Sequence, residues 1–393
     1  MMDIANISFI SHTLYLSIQK KLLFPSIHHV YTTHRQILLD IAREKNNIDI
    51  LGDGRCDSPG YSAKYGTYTI MNGSSGEILD FHIAHKTLAG NSARMELDGF
   101  KKVLERIENN GVKINSLTTD RHKQLRSFIR KERKDIKHQF DVWHVGKNIK
   151  KKLLKLAKKI TCSDLKPWIK AVINHFWWSC SSCNGNVKEL KEKWISILCH
   201  VTNKHRWEGN TYFKRCQHKR ITKREKREKK WLKLGTPSYL ALEKVVLNKY
   251  LLADLKYLTD FNHTGTLEVY HSLYNKYCPK RLHFSYHGMI ARSQLAVLDF
   301  NSGVGAQQAT TKAGNLRFKQ QYSRITDTWV LKKIASKKNR TYRYDLMEDV
   351  FYLKKSNENY PIASLHDVPQ NIAPIEKPDK AEAMMNQRTR FIL

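Results

Sequence analysis

Between residues 48 and 143 the apolar positions switch repeatedly between a period of two and a period near 3.6. Alternating or continuous apolar runs occur at "IDILGD" (48–53), "GTYTIM" (66–71) and "EILDFHIA" (77–84), separated by Gly- and Ser-rich turns, and predict three strands. Helical spacing follows in "ARMELDGFKKVLERIENNG" (93–111), where Phe100, Val103 and Ile107 share one stripe and Asn-Asn-Gly supplies a stop. "VKINSLTT" (112–119) predicts a fourth strand, "RHKQLRSFIRKER" a helix, "IKHQFDVW" (136–143) a fifth strand, and "VGKNIKKKLLKLAKKI" a basic helix. Three consecutive strands can form an antiparallel meander, whereas strand–helix–strand units need crossovers. The order therefore predicts an α/β fold with a mixed sheet and helices packed against it.

The flanks are helical in pattern. Residues 1–45 place Leu14, Leu16, Ile18, Ile37, Leu38 and Ile41 at helical spacing and carry no Cys/His finger. Residues 151–262 read as a basic helical insertion without trustworthy strand alternation, including "KRITKREKREKKWLK" (219–233), expected as a solvated helix or loop. A last core helix is expected from "HTGTLEVYHSLYNKYC" (263–278). The expected divisions are thus 1–45, 46–150, 151–262, 263–300, a helical or mixed segment 301–360, and a polar, Pro-containing mobile tail 361–393.

Charge changes the picture most. Across 393 residues, 69 Lys and Arg face 36 Asp and Glu, a net +33 that favours a polyanionic partner through counterion release and steering. Nucleic acid is the expected partner, ahead of an acidic membrane surface, and the bland alternative is a basic but inert surface. A hydrophobic share of 41% supports a packed core rather than disorder. Seven irregularly spaced cysteines do not outline a disulfide framework and suggest a reducing compartment. No stretch is long and apolar enough to span a membrane, and the expectation is an intracellular, soluble protein.

Against that charge, a few acids stand out by position. Asp53 is expected to end the first strand and Asp120 the fourth, Glu96 lies on the Phe100–Val103–Ile107 stripe, and Glu268 opens the last core helix. Each has an ordinary role available: a turn for Asp53, a helix cap for Asp120, a favourable dipole position for Glu268. Brought together, they would repel one another, and Mg²⁺ or Mn²⁺ would remove that penalty with hard oxygen ligands. Asp57, in "DSPG", is expected to shape the turn instead.

"IDILGDGRC…PGYSAKYGTYTI", "NSARMEL" and "SLTTDRH" resemble the first half of ribonuclease H, over about 80 residues. That resemblance implies a ribonuclease H-like core and metal-binding roles for Asp53, Glu96 and Asp120. A longer resemblance, through "GDGRCDSPGYSAKYGTYTIMN", "TTDRH", "FDVWHVGKNIKKKL", "NHFWW" and "HTGTLEVYHSLYNKYCPKRLHFSYHGMIARSQLAVLDFN", is to DDE transposases of the Kolobok superfamily. It implies two divalent ions on Asp53, Asp120 and Glu268, DNA cleavage and strand transfer, transposon ends and target DNA as partners, a nuclear location, and a homo-oligomer. The 148 residues from Asp120 to Glu268 fit a helical insertion and are far too many for ribonuclease H itself. The family's Asp-x-x-His element falls on Asp141 and His144, expected to support the ligands rather than to ligate. Kolobok transposases often carry an N-terminal THAP-type zinc finger; none is present here, so a fragment, a relic or an incomplete gene model is expected. A catalytically silent DNA-binding relic is the alternative, and a ribonuclease H-type nuclease the third reading.

Two further groups have chemistry. Cys180 and Cys183, in "CSSC", precede His200 and His205 and could form a structural zinc site, with Cys199 and Cys216 as rival ligands and plain thiol packing as the alternative. Lys147, Lys150, Lys151, Lys152 and Lys155 alternate with Ile149, Leu153, Leu154 and Leu156, so one face can pack while the other meets phosphate. Trp168, Trp177, Trp178, Trp194 and Trp207 crowd the insertion and are expected as core more than as base-stacking platforms.

Overall fold

The computed structural model describes residues 10–58, 63–219, 221–324, 327–356 and 378–387. Five strands form one sheet: β1 (Ile48–Cys56), β2 (Tyr65–Asn72), β3 (Ile78–His85), β4 (Ile114–Thr119) and β5 (Lys137–Phe140), in the order β3-β2-β1-β4-β5. β1, β2 and β3 pair antiparallel, whereas β4 joins β1, and β5 joins β4, in parallel. The fold is a mixed α/β sheet with a ribonuclease H-like arrangement.

Adjacent residues on a strand serve opposite faces. Ile50, Tyr68, Ile70 and Leu79 pack with Phe100, Val103 and Ile107 of the helix Ser92–Asn109. Leu51, Met71, Ile78, Phe81 and Ile83 pack with Leu267, Tyr270 and Tyr274 of the helix Gly265–Tyr277 and with the helix Tyr286–Asn301. Helices on both faces explain why every residue of β2 is buried. The lead-in helix Phe24–Glu44 reaches both layers, placing Tyr31 in one cluster and Leu38 and Leu39 in the other.

β1 continues three residues beyond Asp53, the expected strand end. "Asp-Gly" resembles a turn, but here glycine provides room within the strand. A Cβ at Gly52 would meet the Tyr68 hydroxyl at 2.4 Å, and one at Gly54 would meet Glu96 Cγ at 2.8 Å.

Between the basic helix Val142–Ala157 and the helix Gly265–Tyr277, the chain forms short helices around its own apolar cluster. Trp168, Val172, Phe176, Trp194, Leu242 and Val246 are central to that cluster. Lys223–Glu228 is a short helix in an exposed basic stretch. Farther on, β6 (Phe318–Ser323) and β7 (Thr328–Lys333) form a hairpin, followed by the helix Tyr342–Ser356. Most of the expected tail lies outside the described residues, apart from the short helix Lys380–Met385. Among the described residues, no helix is long and apolar enough to cross a membrane.

Candidate active site

The parallel ladder between β1 and β4 pairs Leu51 with Thr118. Continuing that register by two residues brings Asp53 level with Asp120, just beyond the carboxyl end of β4. In open α/β sheets this end of the strands is where ligands bind. Asp53 Oδ1 accepts the Gly54 N–H at 2.8 Å, while its Oδ2 lies 3.3 Å from His271 Nδ1. Glu96 leans over Gly54 from the helix Ser92–Asn109. Burial first, then the charges of Asp53 and Asp120, push its carboxyl up to about 7. The same three acids surround the buried Tyr68 hydroxyl, which has no hydrogen-bond partner.

Glu268 enters from the other side of the insertion, in the first turn of Gly265–Tyr277. Its Oε1 lies 3.5 Å from His144 Nε2, and His144 Nδ1 lies 2.7 Å from Asp120 Oδ1. His144 therefore lies between Asp120 and Glu268, two acids from opposite ends of the insertion. Its position is fixed by Asp141, which is 1% exposed. Asp141 Oδ1 caps the basic helix by accepting the N–H groups of Trp143 at 2.6 Å and His144 at 3.2 Å. Asp141 Oδ2 accepts from His144 Nδ1 at 3.0 Å, from the Thr264 N–H at 2.9 Å, and from the Thr264 hydroxyl. Thr264 is the residue immediately before the helix that carries Glu268. One buried carboxylate thus ties the end of β5 to the start of that helix.

These contacts account for the electrostatics. Hydrogen bonds from His144 and Thr264 hold Asp141 at about 2 despite burial. Closeness to Asp120 and then Asp141 pushes His144 up to about 10, so the ring is an imidazolium at neutral pH. His144 Nδ1 lies between the two carboxylates, 2.7 Å from Asp120 Oδ1 and 3.0 Å from Asp141 Oδ2. Carboxylate oxygens are the donors a hard divalent cation prefers. Among the described residues, Asp120, Asp141 and His144 each offer a ligand atom within 4.8 Å of one another, while Asp53 lies against His271 and Glu268 against His144.

The arrangement also depends on residues that the sequence did not single out. Arg121 and Arg126, which follow Asp120, both pair with Asp254 of the insertion, Arg126 Nη1 at 3.0 Å. His271 shares a helix face with Glu268, three residues on, and that spacing was the only local signal for it. His122 lies 3.8 Å from Glu96. Asp57, by contrast, accepts the Lys64 N–H at 3.1 Å; the residues of its expected turn, 59–62, lie outside the described residues.

Leading away from His144, the basic helix exposes Lys147, Lys150, Lys151, Lys152 and Lys155 while Val145, Ile149 and Leu153 are buried. Trp168 and Trp194 lie in the core of the insertion and Trp177 packs against it, whereas Trp178 and Trp207 flank Phe213.

The expected zinc ligands require correction. Cys180 and Cys183 are buried in the apolar cluster of the insertion, and Cys183 Sγ donates to the carbonyls of Cys180 at 3.2 Å and Thr259 at 3.5 Å. Three residues apart at the end of one helix, both thiols turn inward with the core. His200 and His205 do meet, but with Cys216 and His218.

A ribonuclease H-like sheet with carboxylates gathered at the carboxyl end of its parallel strands defines the class of architecture. Residues 33–221 match the family model described as Mutator-like transposase, which supports a transposase or a protein derived from one. The matched region includes the sheet, Asp53, Glu96, Asp120, Asp141 and His144, and ends before Glu268. No curated protein matches the chain.

Proposed function

We propose that this protein is a DDE-type transposase, or a descendant of one, that cuts DNA and transfers strands using Asp53, Asp120 and Glu268. The observation that carries the proposal is the meeting of Asp53, Glu96 and Asp120 at the carboxyl end of the parallel strands, where burial and then the charges of Asp53 and Asp120 push Glu96 up to about 7. Asp53, Asp120 and Glu268 would hold two Mg²⁺ or Mn²⁺ ions, with Glu96 as an auxiliary group. When bound, such ions supply a Lewis acid for the scissile phosphate and a more acidic water or 3′-hydroxyl. Asp141 and Thr264 hold the Glu268 helix against the sheet, and His144 orients Asp120 and Glu268 between them. The lysines that extend from the site on the basic helix would take phosphates and set the register of the duplex. A nuclear location and a homo-oligomer on transposon ends belong to the same proposal. The motif likeness keeps the Kolobok superfamily as the finer placement beside the Mutator-like match.

One observation favours a second reading, a silent DNA-binding relic. The His144 imidazolium already offers a positive charge to Asp120 and Glu268. Nicking of supercoiled plasmid with Mg²⁺ or Mn²⁺ separates the two. Cutting that is lost in Asp120→Ala supports the enzyme, whereas tight binding without cutting by either protein supports the relic. Cutting confined to an RNA–DNA hybrid would point instead to a ribonuclease H-type nuclease.

A further inference from the structure

The helical insertion contains a second cluster of metal-binding side chains, far along the chain from the acids and made of different chemistry. His200, His205, Cys216 and His218 each offer one ligand atom, and the four atoms lie within 4.8 Å of one another. The sequence pattern is His-x4-His-x10-Cys-x-His.

We propose that His200, His205, Cys216 and His218 form a closed, structural Zn²⁺ site that fastens the loop after His200 to the helical insertion. Zinc prefers four tetrahedral nitrogen and sulfur ligands when its role is structural. Bonds of about 2.05 Å to nitrogen and about 2.3 Å to sulfur give tetrahedron edges near ~3.3 Å between nitrogens and ~3.6 Å between nitrogen and sulfur. Two edges of that size are already formed. His205 Nδ1 and His218 Nε2 are 3.2 Å apart, and His200 Nδ1 and Cys216 Sγ are 3.4 Å apart.

The outer ring nitrogens show which atoms face the ion. His218 Nδ1 lies 2.7 Å from the Lys219 carbonyl oxygen, which can only accept, so that nitrogen carries the hydrogen. His205 Nε2 lies 3.1 Å from Asn203 Oδ1 and donates in the same way. In these neutral tautomers, His205 Nδ1 and His218 Nε2 direct lone pairs at each other. Two facing lone pairs at 3.2 Å repel, and a cation between them turns repulsion into two bonds. Outer hydrogen bonds that orient ligating histidines are a regular part of metal sites. Trp231 closes the shell, with its ring 6.1 Å from His200 and 5.7 Å from His205.

The loop also has little apolar support. Between Thr202 and Trp231, Phe213 is the only apolar side chain buried among the described residues. Its backbone is tied by the Arg206–Arg215 bridge, by the N–H groups of Trp207 to the Lys214 carbonyl and Cys216 to the His205 carbonyl, by the Trp207 and Asn210 side chains on the Phe213 carbonyl, and by Glu192, which accepts from Thr211, Tyr212 and Phe213. A segment that buries so little apolar area is where a metal staple contributes most.

The test measures zinc in the purified full chain by mass spectrometry, then replaces it with Co²⁺ and records the visible spectrum. The expected result is one zinc per chain, retained in Asp120→Ala and in Cys183→Ala. It falls below a tenth in the double variant Cys216→Ser with His218→Gln. Co²⁺ should give an intense tetrahedral spectrum with a thiolate charge-transfer band that Cys216→Ser alone removes. Should the double variant fail to fold, the natural chain stripped by chelator provides the same readout. Zinc must then restore resistance to trypsin in the segment 202–219. Zinc that survives in the folded double variant, zinc lost with Asp120→Ala, or a six-coordinate Co²⁺ spectrum would each overturn the site.

Discussion

Replacing Asp141 with Asn changes one atom at the point where β5, the basic helix and the Glu268 helix meet. The carboxylate accepts from five donors: two backbone N–H groups on Oδ1, and His144 Nδ1, the Thr264 N–H and the Thr264 hydroxyl on Oδ2. An Asn side chain can keep its carbonyl oxygen on one of these sets only. Its NH₂ then faces the other, where the Thr264 N–H and the His144 ring hydrogen cannot turn away. Each buried donor left without an acceptor costs about 1–3 kcal/mol. A second route gives a similar magnitude. A carboxyl held at about 2 in the fold, against an ordinary 3.8, favours its charged form by roughly 2 kcal/mol. Asp141→Asn should therefore lower stability by ~2–4 kcal/mol at pH 7. Asp141→Ala, which also loses the helix cap, should cost about 1 kcal/mol more. The measurement is urea denaturation followed by tryptophan fluorescence, comparing midpoints at unchanged slope. Because the fold depresses this carboxyl, its contribution is complete above pH ~3.8 and disappears as pH falls through about 2. The gap between the natural chain and the Asn variant should narrow over that window. A loss under about 0.5 kcal/mol at pH 7 would refute Asp141 as the tether.

Three other expectations can be checked in the same way. Asp254→Ala leaves Arg121 and Arg126 without their shared carboxylate. The arginine side chains are 36% and 34% exposed, so water recovers part of the loss, and the cost should be ~2 kcal/mol rather than the larger penalty of a fully buried pair; an unchanged urea midpoint would refute it. Burial holds His138 and His175 at about 4, below the ordinary 6.5, so each stabilises fully above pH ~6.5 and loses that contribution as pH falls toward 4. His175→Gln should reduce the loss between pH 7 and pH 5 by up to ~2 kcal/mol, and a variant with the same pH dependence as the natural chain would count against this. Replacing Lys147, Lys151 and Lys155 with Ala should flatten the dependence of log affinity for duplex DNA on log salt by about 3, and a filter-binding series with the original slope would remove that helix from the DNA surface.

The sheet was legible because its signals are local. Period-two runs located all five strands, and the apolar stripe on 93–111 correctly faced Phe100, Val103 and Ile107 toward the sheet. The error at the end of β1 came from treating Gly54 as a turn residue, when its missing side chain makes room for Glu96. Asp120 and Glu268 were visible as polar residues at element ends, and Asp53 as a polar interruption that lies within β1. Thr264 and Asp254 were not, because their importance lies in contacts more than 120 residues away along the chain. The Cys-x-x-Cys motif misled for a related reason. Spacing identifies a pair of thiols but not the direction in which a helix points them, and here they point into the core. Cys216 and His218 acquire meaning only once the loop brings them back to His200.

The single carboxylate of Asp141 also sets an order of events. When the ribosome has made β5 and the basic helix, the sheet can already form with Asp53 and Asp120 in place, but Thr264 and Glu268 are still unmade. At synthesis rates of about 5–20 residues per second, the interval from Asp120 to Glu268 lasts roughly 7–30 s. During that time the insertion must fold around its own tryptophans while Asp141 waits for its last two donors. The chain thus emerges without Glu268, which can meet His144 only after the intervening helical unit has passed through synthesis. A truncated product ending in the insertion would retain the lysines of the basic helix without Thr264 and Glu268.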